Sequence, residues 1–102
     1  MVLGAAWLVC PGLADAAPAT HTVVIEDMQF KPATLAVRRG DRVAWVNRDL
    51  VPHTVTAPGM LDSGPIAAGA TWSAVVGHPG RLRYLCSLHP TMNATLSVED
   101  TP

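Results

Sequence analysis

Arg81-Leu82-Arg83-Tyr84-Leu85-Cys86-Ser87-Leu88-His89-Pro90-Thr91-Met92 is the stretch from which the fold can be read. Its first half alternates. Leu82, Tyr84 and Cys86 share one face, as in a half-buried β-strand, where side chains repeat every second residue. Its second half sets a thiol, an imidazole and a thioether at positions 86, 89 and 92, three residues apart each time. These are the soft and borderline donors that suit copper. Cys86 thus ends a strand, with His89 and Met92 expected in a loop at one end of a sheet.

The chain on either side repeats the strand pattern. His21 to Met28 reads as a first strand with Val23 and Ile25 on one face, broken by Phe30-Lys31-Pro32. Thr34 to Val37 is a short strand, and Arg39-Gly40-Asp41 a turn. In Arg42 to Asn47, Val43, Trp45 and Asn47 share one face and Ala44 and Val46 the other. Val51 to Ala57 reads as a strand closed by Pro58-Gly59, and Met60 to Gly69 as irregular. Thr71 to Val76 and Asn93 to Glu99 complete the set, the last with Leu96 and Val98 inward. No stretch carries a 3.6-residue period over three turns. A chain of 102 residues is one domain. Nine prolines, eight glycines and five aromatics (three Trp, one Tyr, one Phe) suit a turn-rich β fold. Six to eight short strands imply an all-β sandwich or barrel.

Seven Lys+Arg stand against eight Asp+Glu, so the chain lacks the basic face that nucleic-acid binding requires. Arg38, Arg39 and Arg42 read as a solvated edge. Residues 1–16 are apolar apart from Asp15, and the run Val2 to Pro11 is too short to cross a bilayer, which takes about 20 residues. Ala14-Asp15-Ala16 places small residues where a signal peptidase reads, although no Lys or Arg precedes Lys31. Residues 1–16 are therefore read as a signal peptide, residues 17–102 as the single domain, and the periplasm as the destination, with no stable membrane insertion. Cys10 is not read as a lipid anchor, because Trp7-Leu8-Val9 lacks the small residue expected beside it. Cleavage after Ala16 leaves 102 − 16 = 86 residues and Cys86 as the one remaining thiol. A lone thiol in an oxidising compartment points to metal ligation.

A second imidazole, His53 in Pro52-His53-Thr54-Val55, lies 86 − 53 = 33 positions upstream of Cys86. Strand ends can converge at one pole of a sandwich, which would bring His53, Cys86, His89 and Met92 to one ion. Cu(II) favours tetragonal N/O surroundings, and soft sulfur favours Cu(I). Two imidazoles and a thiolate near one plane, with a weak thioether, compromise between the two. The reading is one copper ion, cycling between Cu(II) and Cu(I), in a carrier of single electrons and not an enzyme. The alternative is a module for copper delivery or storage, which usually needs an open, Met/His-rich end. A redox enzyme would need a second metal site, and no His-x-His cluster exists for one. A metal-free adhesion sandwich leaves the spacing of Cys86, His89 and Met92 unexplained. One thiolate with a thioether is a poor structural zinc set.

Five segments together resemble the small cupredoxins, especially the amicyanin-like branch of the plastocyanin and pseudoazurin group. They are Met28 to Pro32, Gly40 to Asn47, Pro52 to Val55, Asp62 to Gly64 and Tyr84 to Met92. The resemblance covers about Ile25 to Val98, and the two-residue gap between His89 and Met92 is the amicyanin-like feature. It implies a cupredoxin-like Greek-key sandwich or barrel of about seven to eight strands with a type 1 blue copper site. His53, Cys86 and His89 would be equatorial ligands and Met92 axial. Asn47 would tie the His53 strand to the Cys86 loop. His89 would be the port for electrons, ringed by Leu50, Val51, Pro52, Met60, Leu88 and Pro90, where redox partners dock transiently. An amine dehydrogenase and a c-type cytochrome are the implied partners of a monomer. In the reduced state His89 would protonate and leave the metal. The family usually has a glycine within two residues after the axial methionine. Here Asn93-Ala94 follows, and asparagine can supply a left-handed backbone. His78 is expected exposed and not a ligand, and His21 at most an adventitious one.

Overall fold

The computed structural model describes residues 17–101, so the signal-peptide reading of 1–16 lies outside the described residues. The strands are β1 (Thr20–Glu26), β2 (Gln29–Lys31), β3 (Thr34–Arg38), β4 (Arg42–Asn47), β5 (Thr56–Ala57), β6 (Leu61–Asp62), β7 (Thr71–Val75), β8 (Gly80–Cys86) and β9 (His89–Glu99). They form two mixed sheets, in the orders β2-β1-β4-β7 and β3-β9-β8-β5-β6. The β1–β4 and β3–β9 pairs are parallel, so the chain crosses between the sheets instead of running as a simple meander. The fold is the all-β sandwich expected.

Period-2 alternation decides what lies between the sheets. Along β4, Val43, Trp45 and Asn47 are buried; along β8, Tyr84 and Cys86; along β9, Met92, Ala94, Leu96 and Val98. Trp45 and Tyr84 meet across the core edge to face, with ring centroids 5.6 Å apart, and the Trp45 Nε1–H donates to Tyr84 Oη at 3.1 Å. Phe30 packs on Tyr84 at 4.8 Å, and Trp72 on Trp45 at 5.4 Å. Such pairs add about 0.5–1.5 kcal/mol each beyond area burial. Burial pushes the Tyr84 hydroxyl up to about 12 despite the Trp45 hydrogen bond, so it stays neutral and binds the sheets as a dipole.

The structure corrects four element boundaries. The first strand ends at Glu26, not Met28, and Phe30 and Lys31, expected to break it, lie in β2, which folds back on β1 across the turn at Asp27-Met28. Val51 to Ala57 is not one strand: only Thr56 and Ala57 pair in β5, and His53 makes an isolated bridge to Ile66. Within Met60 to Gly69, expected to be irregular, Leu61 and Asp62 form β6. The last strand begins at His89, not Asn93. Cys86 pairs with His89 while Leu85 pairs with Asn93, so β9 advances four residues while β8 advances one. Pro90, Thr91 and Met92 are the surplus, a bulge that keeps strand-like backbone without partners on β8.

At the opposite end of β4, Asp41 is 5% exposed and closes the Arg39-Gly40-Asp41 turn. Its carboxylate accepts the Ala19 N–H at 3.0 Å, the Arg38 N–H at 3.0 Å and the His21 ring at 2.8 Å. Those bonds, the two backbone donors first, hold its pKa down to about 2.

Two outcomes follow from this packing. Tyr84→Phe leaves the buried indole N–H without its acceptor and lowers unfolding free energy by about 1–3 kcal/mol in urea titrations. Asp41→Ala lowers Tm at pH 6. Because the folded carboxyl titrates below its unfolded value of about 3.9, its stabilisation is complete above that pH and is lost as pH falls through about 2. The Tm gap between wild type and Asp41→Ala, followed by circular dichroism, therefore closes between about pH 4 and pH 2.

Candidate metal centre

Strand β4 ends in Asn47, an amide that period-2 alternation turns into the core. Its Nδ2 donates to Val51 O at 2.9 Å and Ile66 O at 3.0 Å, and its Oδ1 accepts the Asp49 N–H at 2.9 Å. These bonds fold residues 47–51 back on themselves and clamp them to Ile66. His53 is then fixed by a two-way backbone bridge with Ile66, at 3.2 and 2.7 Å. The expected tie from Asn47 to the Cys86 loop is not what joins the segments. Thr54 does that: its N–H donates to Cys86 Sγ at 3.3 Å, and its Oγ1 accepts the Ser87 N–H at 2.8 Å.

Three of the four expected donors converge. Cys86 Sγ lies 3.7 Å from His53 Nδ1 and 3.7 Å from His89 Nδ1. The three ligand atoms all lie within 4.8 Å of one another, and the two imidazole rings stand 5.0 Å apart. Typical metal bonds of about 2.3 Å to sulfur and about 2.0–2.1 Å to nitrogen convert a 3.7 Å edge into an angle of about 115–120° at the ion. Two imidazole nitrogens flanking one thiol sulfur at that spacing are the mixed borderline and soft donors that copper takes, so this donor group fits a copper ion. His53 and Cys86 are fully buried, and His89 is half-buried at the rim. Met92, three residues past His89 on the bulge, is 4% exposed.

The rim around His89 is apolar. Leu50 is 94% exposed, and Val51 and Leu88 are exposed large apolar residues. Met60, expected in the same ring, is exposed but packs beside Val75, Val76, His78 and Val98 toward the Asp41 end of the sandwich, because the β5–β6 turn carries it away from His53. Pro52 and Pro90 are exposed as well. His78 is exposed, and His21 is paired with Asp41 at the far pole.

Sequence reading missed Asp49. Its Oδ2 lies 2.8 Å from His53 Nε2, with the carboxylate half-buried. Burial pushes the Asp49 carboxyl up, but the Met28 N–H, the His53 ring and the Asp27 N–H outweigh it and hold the group below its ordinary value. An ionised carboxylate accepts, so the His53 proton sits on Nε2 and Nδ1 keeps its lone pair toward the sulfur. The i, i+4 spacing of Asp49 and His53 was the available signal. Asn93 also departs from expectation. It is absent from the positive-φ residues, pairs with Leu85, and takes the Arg83 guanidinium on Oδ1 at 3.1 Å. The bulge therefore turns without needing a glycine.

A family model described as the cupredoxin-like domain matches residues 1–98. Amicyanin-alpha of Methylorubrum extorquens is 31% identical over 90 residues, covering 81% of this chain and 76% of that protein. Amicyanin of Paracoccus denitrificans is 32% identical over 92 residues, covering 84% and 70%. Among solved structures, a Cu(I) form of a mutant amicyanin superposes with a TM-score of 0.74 at 29% identity, covering 82% of this chain and 86% of that one.

Asn47→Ala removes the clamp and strands two buried carbonyls. Urea unfolding is expected to show a loss of roughly 2–3 kcal/mol, larger than for Asn93→Ala, whose side chain is exposed.

Proposed function

The chain belongs to the cupredoxin-like family, and from that premise we propose that it is a blue copper electron carrier whose single copper ion is held by His53, Cys86, His89 and Met92. The observation that carries this reading is the position of one thiol sulfur 3.7 Å from the Nδ1 atoms of two imidazoles. Copper supplies a one-electron couple at that point. The protein's own work is to keep the donors still. Asp49 holds the His53 ring from behind, the Ile66 bridge holds its backbone, and the Thr54 N–H holds the Cys86 sulfur. Held this way, the donors need little rearrangement when the ion changes charge.

His89 is the port. Its ring is the half-buried member of the trio, and the exposed apolar residues Leu50 and Val51, just before His53, and Leu88, beside His89, flank the site in the chain. A small, mostly apolar contact suits a redox partner that must leave after each electron. An amine dehydrogenase as donor and a c-type cytochrome as acceptor fit the amicyanin relatives. The chain works as a carrier and not an enzyme, as a monomer, in the periplasm after loss of residues 1–16. Full burial of His53 and Cys86 weighs against copper delivery, which needs exchangeable donors. Among the described residues no helix is long and apolar enough to cross a membrane.

Adding Cu(II) to the purified domain tests the reading. The expected result is an intense visible thiolate-to-copper band with narrow copper hyperfine splitting in the EPR spectrum, both lost in Cys86→Ser. A weak tetragonal Cu(II) spectrum that Cys86→Ser leaves unchanged would reject it.

A further inference from the structure

The Asp49 carboxylate faces two ways. Its Oδ1 accepts the Asp27 N–H at 2.8 Å, and its Oδ2 accepts the Met28 N–H at 2.9 Å and the His53 Nε2–H at 2.8 Å. Asp27 and Met28 are the corner of the β1–β2 hairpin and, among the described residues, the non-glycine positions with positive φ, 57° and 59°. Two successive residues with φ > 0 make the hairpin turn that normally selects Asn-Gly or Gly-Gly. A left-handed backbone is sterically disfavoured for a residue with a side chain. The turn accepts that penalty twice, and in this conformation both of its N–H groups end on one carboxylate. Lys31 Nζ holds the Asp27 side chain at 2.8 Å, bracing the same corner from outside.

We infer that the β1–β2 turn is a positioning element of the metal centre, acting through Asp49 on His53. The inference rests on the copper reading of His53. The turn fixes where the carboxylate lies. The carboxylate fixes the His53 ring, keeps its proton on Nε2 and makes Nδ1 a stronger donor. A stronger, partly anionic donor favours the higher oxidation state, so the turn lowers the reduction potential. None of these turn residues lies in the ligand loop, and Met28 is exposed, so the centre can be adjusted from the surface without touching a ligand.

The experiment uses the full chain, metal-free and copper-loaded, as wild type, Asp49→Ala, Asp49→Glu and Met28→Pro. Three quantities are read: the His53 ring tautomer by 15N NMR in the metal-free protein, amide exchange at Asp27 and Met28, and the reduction potential with copper bound. Wild type is expected to hold His53 as the Nε2–H tautomer with both turn amides protected. Asp49→Ala is expected to mix the tautomers, expose both amides, weaken copper binding by about 10–100-fold and raise the potential. Asp49→Glu restores part of each. Met28→Pro, whose ring cannot adopt the positive φ of the turn and which also deletes one donor to Oδ2, breaks the turn and moves the His53 signals in the same direction as Asp49→Ala. Unchanged tautomer and amide protection in Asp49→Ala would overturn the inference, as would a folded Met28→Pro with wild-type His53 signals. If Met28→Pro does not fold, amide exchange in Asp49→Ala decides the role of the turn. Failure of the copper reading is visible separately, as the lack of a blue spectrum in wild type, while the metal-free measurements still judge Asp49.

Discussion

The side-chain amide of Asn47 has no contact with water, and the pole of the sandwich is built on satisfying it. A buried carboxamide left without partners would cost several hydrogen bonds' worth of desolvation. Here its donors meet Val51 O and Ile66 O, and its acceptor meets the Asp49 N–H. Each bond has a consequence one step further on. Fixing Ile66 fixes the bridge to His53, and fixing Asp49 sets the carboxylate behind the His53 ring. A strand that ends in a buried polar residue thus converts the regularity of β4 into the position of an irregular segment.

The other half of the centre is placed by a register change. β8 and β9 pair residue for residue from Gly80 to Leu85, and then β9 takes three surplus residues before Cys86 meets His89. An uninterrupted ladder would have set Ala94 and Met92 alternately against Tyr84 and Cys86, with no room for an imidazole beside the thiol. The bulge allows Cys86 and His89 to approach across the turn at Ser87-Leu88 while Met92 stays inward. Thr54 then locks the two halves together through Cys86 Sγ and the Ser87 N–H.

Faces were legible in the sequence, and so were donor types. Val43, Trp45 and Asn47 alternate with Ala44 and Val46, and any strand with that pattern buries the first set. A thiol, an imidazole and a thioether at equal spacing name their metal class by softness alone. Element ends were not legible. Residues 51–57 carry enough β-branched side chains to look like a strand, yet the demands of Asn47 and Ile66 on their backbone leave only Thr56 and Ala57 free to pair. His89 to Met92 carries a proline and reads as a loop, yet its backbone stays extended. Thr54 was invisible as a partner because its role depends on the distant Cys86 and Ser87 atoms that the fold brings to it, and Asp49 offered only its four-residue spacing from His53.

The two clasped histidines show how little of a metal site lies in an imidazole and its carboxylate. His21 Nε2 meets Asp41 at 2.8 Å, and His53 Nε2 meets Asp49 at 2.8 Å. Both carboxylates also accept two backbone N–H groups, from Ala19 and Arg38 in one case and from Asp27 and Met28 in the other. The pairs sit at opposite ends of one strand, about 20 Å apart at the rise of extended chain. Their difference lies at the remaining nitrogen. At His53 that nitrogen faces the Cys86 sulfur, fully buried and already hydrogen-bonded; His21 belongs to no such donor group among the described residues. The same local device therefore closes the fold at one pole, and at the other aims a lone pair at the position where a soft ion completes the set.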